Sequence, residues 1–142
     1  MGQNTPFDQK HPNKTVDPHL ARHIKALAQE RSISCAAAHK AARKTGEPPE
    51  KIGEQIDLLG YRISLCQLGL FGYGSPSKKL NPEMAVPPDL DQAIHHAAEK
   101  TGRISCRQCW DIATKLTKKR LDIGSACEKK GVRIKPCQLG AF

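Results

Sequence analysis

The sequence has no apolar run long enough to cross a membrane, and no apolar core behind a basic start of the kind a signal peptide carries. These absences exclude the membrane-spanning class and predict a cytoplasmic protein. No Ser/His/Asp arrangement, paired-carboxylate site or phosphate-cradling glycine loop stands out either, so an enzyme is not expected. The six cysteines occur without an export signal, which argues against a disulfide scaffold. They are left as small buried residues, as metal or cluster ligands, or as redox thiols.

What is present is a duplication. Cys66-Gln67-Leu68-Gly69-Leu70-Phe71 returns 71 positions later (137 − 66) as Cys137-Gln138-Leu139-Gly140-Ala141-Phe142. At the same offset Ile33-Ser34-Cys35 matches Ile104-Ser105-Cys106, Ile52-Gly53 matches Ile123-Gly124, and Gly60-x-Arg62-Ile63 matches Gly131-x-Arg133-Ile134. No gap interrupts the match from Ile33 to Phe71. The 142 residues therefore divide into a disordered tail (1–18), a first repeat (19–71), a linker (72–89) and a second repeat (90–142). Repeats of roughly 50 residues are marginal alone, because the buried fraction of the surface falls with size, so the two are expected to pack on each other or on copies from another chain.

The same order of elements is expected in each repeat. Leu20, Ile24, Leu27 and Ala28 form one apolar helical stripe, as do Leu90, Ile94 and Ala98. A short strand follows at Arg31–Ile33 and at Arg103–Ile104. Ser34 and Ser105 then stand as N-caps, because a serine oxygen can accept from a first-turn amide. The helix from Cys35 stops at Gly46, suited to the left-handed C-terminal cap. A third helix holds Ile52, Ile56 and Leu59 inward and ends at Gly60, before a strand from Tyr61 to Leu65 with Ile63 and Leu65 on one face. Its counterparts are a helix from Leu121 to Lys130 and a strand from Val132 to Lys135.

Helix, short strand, capped helix, turn, helix, glycine and strand, from the capping serine to Gly-x-Arg-Ile in both copies, resembles the winged helix-turn-helix superfamily. That resemblance implies a mainly α fold with short β-strands: a tandem duplication of a small winged helix-turn-helix-like unit. It implies a DNA-binding protein of the transcription-regulator kind. The match stops short of a full wing, which needs a further strand after the closing turn. In such proteins the third helix enters the major groove. The positions it would present are Glu50, Lys51, Glu54 and Gln55 in the first copy, and Arg120, Asp122, Ser125 and Lys129 in the second.

Charge points to the same class of partner. The net charge is +9. Residues 19–71 carry eight Lys/Arg against five Asp/Glu, residues 90–142 eleven against five, and the tail and linker are each neutral. An excess confined to the repeats implies an anionic partner. The expected contacts are Lys51, Gln55 and Arg62 in the first repeat. In the second they are Lys115, Lys118, Lys119, Arg120, Lys129, Lys130, Arg133 and Lys135. DNA is the expected partner; a protein partner or self-association on the same scaffold is the alternative, and no membrane is involved.

Four cysteines supply a competing reading. Cys35 and Cys66 recur as Cys106 and Cys137, each pair 31 residues apart (66 − 35 and 137 − 106). Cys35 and Cys106 open a helix, whose dipole can lower a thiol pKa. Two thiolates from each copy would make a four-thiolate site suited to zinc or an iron–sulfur cluster. No cofactor follows if each is a buried small residue instead. Cys109 takes the place of Ala38 and Cys127 that of Ile56, both inward helix positions, so core packing explains Cys106-x-x-Cys109 at least as well.

Overall fold

The computed structural model describes residues 11–142. The chain is mainly helical, with six α-helices and four short strands among the described residues. It falls into two compact units. The first comprises the described residues up to Ser64 with Leu139–Ala141; the second comprises Leu65–Gln138 with Phe142. These units follow the repeats except at the closing Leu-Gly segments.

In the first unit, helix α1 (Pro18–Leu27) starts where Asp17 Oδ1 accepts from the amides of His19 and Leu20, at 2.9 and 3.3 Å. Its apolar stripe buries Leu20, Ala21 and Ile24. Strand β1 (Ser32–Ser34) runs into α2 (Cys35–Thr45), where Ser34 Oγ accepts from Ala37 N at 3.1 Å. Gly46 closes α2 at φ 75°, as a left-handed cap requires. After a short turn, α3 (Pro49–Leu58) buries Ile52 and Ile56, and the chain ends the unit on β2 (Arg62–Ser64).

Strands β1 and β2 pair in parallel, Ile33 opposite Ile63. A parallel pair needs a long crossover, and α2 with α3 supplies it. The expected strand is cut short at its far end. Leu65 takes a left-handed φ of 51° and is 46% exposed, so it does not share an inward face with Ile63.

The second unit repeats the plan. It has α4 (Pro88–Ala98), β3 (Arg103–Ile104), α5 (Cys106–Leu116), α6 (Arg120–Lys130) and β4 (Arg133–Ile134). Strand β3 pairs with β4 in parallel, Ile104 opposite Ile134. Here the cap is reciprocal: Ser105 Oγ accepts from Gln108 N at 3.0 Å, and Gln108 Oε1 accepts from Ser105 N at 2.9 Å. The core joins Leu90, Ile94, Ile104, Cys109, Ile112, Ile123, Cys127 and Ile134 to Cys66 and Leu68 from the first repeat's closing motif.

Two stretches expected to be loose carry specific contacts. The tail assigned to 1–18 lies outside the described residues as far as residue 10. Beyond it, His11 Nε2 bonds Asp57 Oδ2 at 2.8 Å, and the backbone at Thr15 and Asp17 bonds Gln55. Within the linker 72–89, Met84 and Val86 pack against the second core, Asn81 N donates to Ser125 Oγ at 2.9 Å, and α4 begins at Pro88.

Candidate nucleic-acid interface

The turn between α5 and α6 carries the densest basic cluster. Thr117 ends α5 in a left-handed conformation at φ 55°, and Lys118 and Lys119 lead into α6. Lys115 and Lys119 are exposed and Lys118 half-exposed, with no ion-pair partner among the described residues. The open amides of the first turn of α6 add positive potential beside them. A phosphate group would find three ammonium groups within little more than one helical turn of sequence.

Arg120 is placed differently. Its guanidinium stacks over Trp110, with Cζ 3.6 Å from the ring centroid, and its Nη1 donates to Gln67 Oε1 at 3.1 Å. The residue therefore fastens the first repeat's motif to the start of α6, within the second unit. Lys129 Nζ donates to the Met84 carbonyl at 2.9 Å, and Lys130 forms an ion pair with Asp91.

The remaining cations gather at the strands. Arg62, Arg133 and Lys135 are exposed. Parallel pairing makes Arg103 the direct neighbour of Arg133, so two exposed arginines share one rung. Like charges side by side disfavour the pair unless an anion lies between them. Arg103 was missed from the sequence. Its signal was available: it stands one residue before the Ile104 that pairs with Ile134.

The middle of each third helix is covered. In α6 the run Ile123–Cys127 is buried, and Ser125 Oγ accepts from Asn81. In α3, Gln55 has no exposed surface; its Oε1 accepts from Asp17 N at 2.7 Å and its Nε2 donates to the Thr15 carbonyl at 3.2 Å. Gln55, expected to face nucleic acid, is instead a buried clamp on the segment before α1. Ser125, expected to read bases, is likewise buried. Lys51 stays half-exposed but pairs with Glu54 at 3.2 Å. What the surface offers an anion is the start of α6 and the strand edge, not a free helix face.

The thiols divide unevenly. Cys35 lies in the first unit and Cys66, Cys106 and Cys137 in the second, all buried. Burial pushes Cys66 up, opposed by backbone amides of Leu70, Leu68 and Gly69 that donate to its sulfur. Burial pushes Cys106 up to about 11, against Gln138, whose Nε2 lies 3.4 Å from Sγ. Cys109 shares a thiol–thiol hydrogen bond with Cys127, and this bond and burial raise it. Among the described residues no group of three or more His, Cys, Asp or Glu side chains is placed to hold a metal ion. The donor set thus gives no fit for the zinc or iron–sulfur expectation, and buried free thiols are what the described residues show.

The fold and surface define a mainly helical protein of two compact units with an exposed basic cluster. Comparison with protein families, curated proteins and solved structures found no match.

Proposed function

We propose that the chain binds nucleic acid, with duplex DNA as the partner, through two tandem units of the winged helix-turn-helix kind. The observation that carries this reading is the unpaired lysine cluster Lys115, Lys118 and Lys119 at the turn into α6. Phosphate attraction needs cations that are exposed and not already neutralised, and these three are both. Arg133, its neighbour Arg103, and Lys135 extend the cationic surface at the strand edge.

The two-helix plan supports the reading; the strands do not add to it, since each pair is a parallel crossover and not a hairpin wing. With Gln55 and Ser125 buried, contact is led by phosphates, and base edges contribute little. Affinity should accordingly depend strongly on salt and weakly on sequence.

The test is binding to a labelled duplex across a salt series. The log–log slope is expected near −0.9 for each phosphate neutralised, and replacing Lys115, Lys118 and Lys119 together by Ala should make it shallower by about 2 to 3. Arg120 is left intact in that variant because its loss would also unpack Trp110 and Gln67. A wild type that does not bind duplex at low salt, or a triple variant with an unchanged slope, removes the proposal.

A further inference from the structure

Each repeat closes with the same segment, and each of those segments completes the unit of the other repeat. In the second unit Leu68 is wholly buried, and its carbonyl oxygen lies against the Cα of Gly124 in α6. In the first unit Leu139 is 2% exposed, and its carbonyl lies against Gly53 in α3 in the same way. Gly53 and Gly124 are equivalent positions (124 − 53 = 71). One contact has thus been built twice: a helix glycine whose missing side chain makes a slot, and a Leu-Gly segment that fills it.

The chemistry of the slot does not record where the segment comes from. The lock is an absent methyl, since a Cβ at either glycine would overlap the leucine carbonyl. The key is an apolar side chain on a close-lying backbone, and the two keys share the same Leu-Gly pair, Leu68-Gly69 and Leu139-Gly140. Each segment is closed by the same backbone bond, from Cys66 N to the Phe71 carbonyl at 3.1 Å and from Cys137 N to the Phe142 carbonyl at 2.9 Å. The first is held by Tyr73 Oη donating to the Cys66 carbonyl at 2.6 Å and Lys79 N donating to the Gly69 carbonyl at 2.7 Å. Leu139–Ala141 is the only sequence beyond Ser64 that the first unit takes, so an exchange would move one short segment.

We infer that the Gly53 slot is an arm-exchange site between copies of this chain, taking Leu139–Ala141 of a second copy when its own is displaced. Tethering keeps the chain's own segment at an effective concentration of about a millimolar. The wild type is therefore monomeric in dilute solution, and exchange shows when the tethered segment is disabled or the protein is concentrated.

Two full-length variants separate lock from key. Gly53→Ala keeps the segment and closes the slot; Leu139→Asp keeps the slot and spoils the segment, because an unpaired carboxylate is not buried there. Native mass spectrometry of each alone should show monomer, and an equimolar mixture should show a one-to-one heterodimer at least tenfold above either homodimer. Folded variants that give no heterodimer overturn the inference. If circular dichroism shows either variant unfolded, isotope-labelled and unlabelled wild type are unfolded together and refolded at high concentration. Dimers of mixed mass then support exchange, and monomers alone overturn it.

Discussion

Two side chains illustrate how a residue's surroundings reassign it. Gln55 occupies a position where a helix-turn-helix protein would read a base, yet with no exposed surface it bonds the backbone of residues 15 and 17. Cys106 sits at a helix start, where a dipole should ease ionisation, yet burial outweighs it and raises the thiol to about 11 from 9.0. The sign of the consequence follows from linkage. A thiol with a folded pKa above its unfolded value favours the native state fully below pH 9, and the contribution fades as pH climbs from about 9 to about 11. Denaturant titration should show a loss approaching about 3 kcal/mol across that window. Cys106→Ala, less stable at neutral pH, should lose less over the same interval. Equal pH dependence in the two proteins would mean another group is responsible.

At the scale of the element, α2, α3 and α6 are specified by their glycines as much as by their apolar residues. Gly46 and Gly53 lie seven residues apart (53 − 46) and do opposite jobs. Gly46 supplies a left-handed cap with nothing within 4 Å of where a Cβ would stand, so Gly46→Ala should cost about 1 kcal/mol in backbone strain alone. Gly53 needs no unusual dihedral; its Cα lies against the Leu139 carbonyl, and Gly53→Ala should cost about 3 kcal/mol or more. Urea melts of the two variants check the order. A Gly53→Ala protein as stable as Gly46→Ala would mean that the closing segment is easily shed.

On the scale of the molecule, the repeats are unequal in charge, and the proposed binding should be unequal with them. The exposed residues Lys40, Arg43 and Lys44 belong to a first repeat (19–71) with a net charge of +3 (8 − 5), whereas the α5–α6 turn belongs to a second repeat (90–142) with +6 (11 − 5). Replacing Lys40, Arg43 and Lys44 by Ala removes the same three charges as the Lys115, Lys118 and Lys119 variant. It should flatten the salt slope of duplex binding by less than half as much. Equal flattening would show that net charge, and not the α5–α6 turn, governs affinity.

The duplication, the helix starts at Cys35 and Cys106, the glycine stop at residue 46 and the inward faces of α1, α3 and α4 were all legible from the chain. Each depends on local chemistry: a serine oxygen reaching an amide a turn away, a positive φ, an apolar period of 3.6. The basic cluster was legible too, because charge density along the sequence survives folding when the residues stay at the surface. Which cations remain free was not. Arg120 is taken by Trp110 and Gln67, Lys130 by Asp91 and Lys129 by the Met84 carbonyl, all through partners about 10 to 53 residues away in sequence. The parallel strand pairing and the seating of Leu139 on Gly53 were hidden for the same reason. Periodicity reports which way a residue faces, whereas the identity of what it faces is set by long-range packing, and one motif repeated twice could have closed either unit.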